Sequence, residues 1–335
     1  MNCSIVGDTR TARIWATPGT IVCDSSSKFR VTLDGFILVV IASLSLGKYD
    51  GRRIILFVAI SLTARHRFFG QRRSIQNMKE EILRRLEQIE AEDHVTIFYA
   101  CESGSRAWGF PSADSDYDVR FIYLRPTDWY LSIDVEEKRD VIERPINDEL
   151  DVSGWDLRKA LQLLRKSNPP LLEWLSSRIV YRETHGIANM LRAAVEEFYS
   201  PISSFHHYRH MAEGNFREYL KGDVVRAKKY FYVLRPLLAM RWIEEQRGPV
   251  PMEFEKLVDA CVEDSQVRSA ISGLLERKKS GKELDGQPKI PALSVFIEQE
   301  LNRLKATYKF EERRRPDFER LNIMFRNALK AVGEN

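Results

Sequence analysis

Residues 101–124 read CESGSRAWGFPSADSDYDVRFIYL. Just upstream, VTIFYA at 95–100 is β-branched and aromatic, the composition of a short buried strand. CESGSRAWGF then reads as a Ser/Gly turn, PSADSD as a polar loop and YDVRFIYL as a second strand. Further along, PTDWYLSI predicts a short helix and VIERPI a strand, and ELDVSG predicts a strand that leads into the helix WDLRKALQLLRKS. That helix carries Leu157, Ala160, Leu161 and Leu164 at i, i+3, i+4, i+7, and Ser153 with Asp156 resembles a capping box. Pro169 and Pro170 break it, and LLEWLSS restarts a helix.

On the N-terminal side, MKEEILRRLEQIEAE from Met78 predicts an amphipathic helix with Ile82, Leu83, Leu86 and Ile89 on one face. Beyond about residue 184 the chain reads as helical throughout, without a fixed-period repeat. The expectation is an α+β protein: a mixed sheet with helices over residues 78–183, then an all-helical domain over 184–335 that binds substrate or nucleotide.

The 335 residues are 44% hydrophobic and 30% charged, which excludes collagen-like, disordered and disulfide-scaffold classes. Cys3, Cys23, Cys101 and Cys261 form no CxxC pair, so a reduced compartment, taken as the cytoplasm, is expected. No apolar run reaches the ~18 residues of a membrane span.

The net charge of +4 is unevenly spread. Residues 1–77 hold two Lys and nine Arg against four Asp and no Glu, a surplus of +7, and the remaining 258 residues are −3. The first 77 residues also carry two apolar runs, Phe36–Leu46 and Ile54–Leu62. The break in composition at Met78 favours that residue as the true start, with 1–77 a spurious or non-native extension. An Arg-rich transit peptide and a genuine extension of two strands are the rival readings.

The chemistry concentrates in Gly104-Ser105 and Asp116-Tyr117-Asp118. Residues two apart in a strand share a face, so Asp116 and Asp118 project together. Paired carboxylates repel unless cations sit between them. Asp151 lies between Leu150 and Val152 in another predicted strand, and an acid so flanked needs a partner. Three such carboxylates can hold two Mg²⁺ ions, hard cations that prefer oxygen, and two metals suit phosphoryl chemistry. Gly104 leaves room for backbone N–H groups to approach phosphate, and Ser105 adds a hydroxyl donor. Arg106, beside the turn, is a further candidate phosphate contact. Asp148, Glu149 and Asp156 are the nearest substitutes should Asp151 not be the third acid.

A strand, Gly-Ser, Asp-x-Asp about ten residues on and a third Asp in an apolar strand resemble the DNA polymerase β nucleotidyltransferase superfamily. GSRAWGFPSADSDYDVRFIYL with ELDVSGWDLRKALQLLRKSNPPLLEWL is similar to its RNA-repair-pathway branch. The resemblance covers residues 78 to about 330. It implies an NTP substrate, Mg²⁺, and transfer of a nucleoside monophosphate with loss of pyrophosphate. By position, Gly104 and Ser105 would grip the triphosphate and Asp116 and Asp118 would hold both metals. Asp151 would hold the metal nearest the attacking hydroxyl and help deprotonate that hydroxyl. A basic residue from the helical half, Lys228 or Lys229, would reach the triphosphate. The acceptor stays open: RNA, a protein side chain or a small molecule, the last two as in antitoxin-type or antibiotic-modifying transferases. A rival in another class is a nucleotide- or RNA-binding module that keeps the fold without turnover. The −3 charge of residues 78–335 argues against tight non-specific polynucleotide binding. Trp108 and Trp155 are expected to pack near the site, and Cys101 to be a buried structural thiol.

Overall fold

The computed structural model describes residues 77–112, 115–146, 149–280, 286–304 and 317–333, with Gln287 by its backbone alone. Of the first 76 residues it describes only the backbone of five short strands and of the start of one helix. The chain divides into two compact units, Met1–Ile75 and Gln76–Asn335. In the first, β1 (Ile5–Val6), β2 (Ala16–Thr17), β3 (Thr20–Ile21), β4 (Phe29–Leu33) and β5 (Phe36–Val40) form two small antiparallel ladders, β1–β4–β5 and β2–β3. The apolar run at 54–62 lies outside the described residues, as does all of the run at 36–46 beyond the β5 backbone.

Helix α1 (Thr63–Asp93) begins upstream of the Met78 expected from the sequence. Strand β6 (Thr96–Glu102) follows, then the one-turn helix α2 (Gly104–Ala107), β7 (Tyr117–Leu124), the short α3 (Thr127–Tyr130), β8 (Val141–Glu143) and β9 (Leu150–Asp156). Helices α4 (Leu157–Arg165) and α5 (Pro169–Ser176) lead to β10 (Val180–Glu183). The five strands make one mixed sheet, β10-β6-β7-β9-β8, in which only β7 and β9 are parallel.

Alternation along β7 sorts the two faces. Val119, Phe121 and Tyr123 join Ile82, Leu86 and Ile89 of α1 in one core, while Ile122 and Leu124 join Leu157, Leu161 and Leu164 of α4 in the other. In β6 a register shift between Ile97 and Tyr99 lets Phe98 and Tyr99 both enter the α4 core, an interruption of strict alternation that a bulge explains. Gly154 pairs with Phe121, and a Cβ there would lie 2.3 Å from the Phe121 ring, so the strand accepts only glycine at that point.

Asp156 itself is the N-cap of α4, accepting from Arg158 N at 2.7 Å, and Ser153 stays within β9. The capping box read from the sequence is therefore displaced by three residues. The strand runs straight into the helix, so the residue that ends one caps the other.

The rest is helical: α6 (Ile187–Phe198), α7 (Pro201–Tyr219), α8 (Lys229–Glu244), α9 (Phe254–Cys261), α10 (Ser265–Lys279), α11 (Pro291–Arg303) and α12 (Phe318–Gly333). One small departure from all-helical is the two-residue ladder of β11 (Val224–Val225) with β12 (Gln287–Pro288). The helical reading beyond residue 184 is followed through α11 as far as Leu304 and again in α12. Helices α7 to α11 enclose a core centred on α8, where Phe231, Val233, Leu234, Leu237 and Met240 are buried. Helices α6 and α12 instead pack with the sheet, through Leu191, Phe198, Leu321 and Met324. Among the described residues no helix is long and apolar enough to cross a membrane.

Candidate active site

The parallel register places Asp118 of β7 opposite Asp151 of β9. Both share the face of Ile122, at the strand ends away from the α4 core. Asp116, exposed, lies just before β7 begins. Burial raises the Asp118 carboxyl above its ordinary value; the Arg120 charge pulls it back, and the charges of Asp151 and Asp116 push it up again. Asp118 therefore feels both of the other acids. Arg120, two residues along β7 on the same face, joins two of them: Nη2 donates to Asp151 Oδ2 at 2.7 Å and to Asp118 Oδ1 at 3.3 Å.

The main chain of Asp118 is fixed from both sides. Its N–H donates to Glu102 Oε1 at 2.7 Å, and its carbonyl accepts from Ser103 N at 2.8 Å. Glu102 is fully buried, takes a second hydrogen bond from the Tyr181 hydroxyl, and is pushed up to about 7 by burial. Gly104 has φ +58°, and a Cβ there would lie 1.9 Å from Asp118 Oδ2. The Gly-Ser turn and the acid are thus in direct contact, and glycine is required both for the backbone angle and for the space.

Ser105 bonds Ser115 at 3.2 Å between hydroxyls; Ser115 bonds Ser112 at 2.9 Å; and Lys278 of α10 donates to Ser112 at 2.9 Å and to Ser115 at 3.3 Å. The helical half thus reaches the Gly-Ser turn through Lys278. Arg106 binds main-chain carbonyls, Ser115 O at 2.6 Å and Asp116 O at 3.1 Å, with its guanidinium 3.6 Å from the Tyr117 ring centre. It fastens the loop that carries Asp116. Phe110 enters the α8 core beside Phe231 (centroids 4.5 Å apart), and Trp108 meets Tyr232 edge-on, so the turn is clamped to the helical half. Burial raises the Tyr232 hydroxyl above its ordinary value, and the charges of Asp118 and Asp116 raise it further. Lys229 lies over the rings of Tyr219 and Tyr232, at 3.8 and 4.8 Å, and Lys228 precedes α8 at its N-cap position without a side-chain capping bond. Trp155 stacks on Trp174 at 3.8 Å, and Cys101 is buried, its thiol pushed up to about 12.

Among the described residues no three His, Cys, Asp or Glu side chains converge as a metal site. The guanidinium of Arg120 occupies the position between Asp118 and Asp151 that a shared cation would take, and Asp116 stands outside the strand. The donor set still suits a hard cation in kind: carboxylate oxygens only, two of them already sharing one positive charge.

Sequence reasoning did not single out Glu102, Arg120, Tyr232 or Lys278. Glu102 left a signal, as a charged residue in an otherwise apolar strand, whereas Arg120 fills an ordinary polar slot of β7. Lys278 left none, since it meets Ser112 across 166 positions. Of the substitutes for Asp151, Asp156 is engaged as a helix cap and by Tyr130, Glu149 lends its carbonyl to Tyr117 N, and Asp148 lies outside the described residues.

Residues 78–327 match the model of the RNA repair pathway DNA polymerase beta family. An uncharacterized protein of Bacillus subtilis, YcgL, is 49% identical over 256 residues, covering 76% of this chain and 98% of the relative. A solved nucleotidyltransferase-like protein from Exiguobacterium sibiricum aligns with 65% of this chain and 73% of its own at 10% identity and a TM-score of 0.28, too loose a superposition to bear on fold or function. The chain belongs to the RNA repair pathway DNA polymerase beta family.

Proposed function

We propose that this member of the polymerase β superfamily is a Mg²⁺-dependent nucleotidyltransferase that moves a nucleoside monophosphate from an NTP to an acceptor hydroxyl and releases pyrophosphate. The observation that carries the reading is the register pairing of Asp118 with Asp151, with Asp116 in the same field and Gly104 against the Asp118 carboxylate. Asp116 and Asp118 would hold both ions, and Asp151 the one nearest the acceptor. When bound, such ions neutralise charge on the attacking and leaving oxygens of an in-line displacement. The chain's own residues do the remainder. Gly104 and Ser105 present the triphosphate with main-chain N–H groups and a hydroxyl. Tyr232 and Lys229 offer an aromatic and cationic wall from the helical half. The acceptor oxygen attacks the α-phosphorus, its proton passes to Asp151, and the bond to pyrophosphate breaks.

RNA is the acceptor we favour, on the family's description. The net charge of −3 over residues 78–335 limits it to a local contact, such as an end or a loop, rather than a long groove. A second reading, a nucleotide-binding module without turnover, draws on the Arg120 guanidinium that bridges two of the three acids where no metal-ready trio is formed among the described residues.

Incubation with each labelled NTP and Mg²⁺, together with cellular RNA, protein or metabolite fractions, tests both. Label transferred to one fraction, and absent with Asp118→Asn, supports transfer and identifies the acceptor. Tight NTP binding with no labelled fraction favours the binding module.

A further inference from the structure

Arg120 stands inside the acid cluster and is itself fixed there. Its Nη1 donates to the carbonyls of Val119 and Asp151, both at 3.1 Å, which anchors the guanidinium to the main chain of β7 and β9. From that anchor Nη2 reaches the two carboxylates, Asp151 at 2.7 Å and Asp118 at 3.3 Å. The arginine side chain is 17% exposed and the carboxylates 28% and 29%, so the pair of contacts is open to solvent ions on one side and backed by the sheet on the other. Arg120 thus touches two of the acids, and with the Arg106 charge also acting on Asp118, two guanidinium groups serve three carboxylates and the cluster keeps an excess of negative charge.

We infer that Arg120 is a built-in counter-cation that competes with divalent metal for Asp118 and Asp151, so that the site takes up free Mg²⁺ weakly and fills when a nucleotide supplies further ligands. The inference rests on the reading of Asp116, Asp118 and Asp151 as a cation platform. Two charges occupying one pair of carboxylates repel each other, so the arginine lowers cation affinity for as long as its Nη2 stays between them. The longer contact, to Asp118, yields first. The main-chain bonds of Nη1 and the Asp151 contact keep the side chain in place, so the arginine tunes the site without blocking it. The same charge holds the acids together in the absence of metal; without it their repulsion is uncompensated.

The test is Mn²⁺ binding to the full chain without nucleotide, followed by the paramagnetic resonance signal of free Mn²⁺. Arg120→Gln is expected to bind Mn²⁺ at least about tenfold more tightly than wild type, a change of about 1.4 kcal/mol. Its melting temperature is expected to fall without metal and to recover with it. Arg120→Lys, which keeps the charge, is expected to stay near the wild-type affinity. Asp118→Asn and Asp151→Asn set the baseline. Should Arg120→Gln be unfolded without metal, it is expected to refold at Mn²⁺ concentrations that leave the wild-type melting temperature unchanged. Equal or weaker Mn²⁺ binding by Arg120→Gln, or failure to refold, overturns the inference while leaving the acid platform intact. Binding that survives unchanged in Asp118→Asn and Asp151→Asn overturns the platform itself, and the inference with it.

Discussion

Arg120 at the head of β7 and Arg235 in α8 both hold carboxylates, on different terms. Arg120 faces two acids, with solvent on one side. Arg235 faces one. Its Nη1 donates to Glu173 at 2.6 Å, Tyr208 donates to the same carboxylate oxygen at 2.9 Å, and its Nη2 reaches the carbonyls of Pro251 and Met252 at 3.2 and 3.3 Å. The arginine side chain is 3% exposed and the glutamate 10%. Charge there is balanced one for one, and two main-chain carbonyls take the Nη2 donors, while the buried Nε finds no hydrogen-bond partner. A balanced, sealed pair has no use for a further ion, whereas an unbalanced pair at an open strand end has a place for one. The same residue types are structural in the first setting and suited to chemistry in the second.

The widest gap between the two clusters is expected when each loses its acid. Asp118→Asn should cut nucleotidyl transfer by roughly 10³-fold, since several kcal/mol of transition-state stabilisation is at stake and each 1.36 kcal/mol is tenfold. Its melting temperature at pH 7 should be no lower than wild type, because burial and like charges already disfavour the ionised form. Asp151→Ala should lower kcat with nucleotide Kd nearly unchanged, as Asp116 and Asp118 remain to hold the nucleotide. Labelled-NTP assays and calorimetric titration read these. A Tm drop of many degrees in Asp118→Asn would make the open cluster structural and erase the contrast.

The sealed cluster should give the reverse pattern. Glu173→Ala leaves Arg235 buried and unpaired, which costs about 3–5 kcal/mol. Replacing both partners with apolar residues, Glu173→Leu with Arg235→Met, should recover most of that loss. Urea unfolding of the single and double variants measures it. If the double variant is as unstable as the single one, the pair does more than satisfy itself, and its contact with Trp108, 5.0 Å from the guanidinium, becomes the place to look.

Much of this contrast was legible in the sequence, and the limits of legibility have physical causes. Asp116 and Asp118 stood out as a carboxylate pair two residues apart beyond a Gly-Ser turn, and Asp151 as an acid between apolar strand neighbours. Gly104 stood out as a turn, but its contact with the Asp118 carboxylate is a matter of distance that no spacing reveals. Arg120 occupies an ordinary polar slot of YDVRFIYL, and only the pairing of β7 with β9 gives it two acids. Strand β10, four residues after a helix, lacked a periodic signal, and the return of α12 to the sheet depends on tertiary packing alone. Lys228 and Lys229 drew notice because they precede aromatic residues, whereas the lysine on the serine cluster, Lys278, sits in a charged helix end that looks solvated.

Glu102 lies between the two extremes: sealed like Glu173, yet bonded to the main chain of Asp118. Its carboxyl is raised by burial from 4.5 to about 7. Between those values the folded protein keeps a proton that the unfolded chain has released, so stability falls as pH rises from about 4.5 to 7, and the penalty is complete above 7. Glu102→Gln has no such proton to lose. The melting-temperature advantage of Glu102→Gln over wild type should therefore grow from near zero at pH 4.5 to roughly 5 °C at pH 8. Asp156, raised to about 6, is present in both proteins and cancels in the difference. A difference that stays flat from pH 4.5 to 8 would mean that Glu102 is ionised in the fold, and that the Asp118 N–H rests on a charge.

The smallest effect is expected at Lys278, a cation bonded to neutral hydroxyls. If the open cluster extends through Ser115 and Ser105 to the triphosphate, Lys278→Met should raise the KM for NTP a few-fold, with kcat nearly unchanged. On the proposed function the lysine sits on the serines that would present phosphate, not beside the acids that would act on the reacting oxygens. Inhibition by pyrophosphate should weaken by the same factor, since it shares the phosphates, whereas binding of the corresponding nucleoside should not change. A purely structural tether between α10 and the Ser112–Ser115 loop would behave otherwise: Tm would fall by a few degrees, and nucleoside and triphosphate would be affected alike. The ratio of the two binding changes therefore separates a phosphate contact from a fastening. A ratio near one would confine the functional cluster to the sheet and leave Lys278 on the structural side of the comparison, with Arg235.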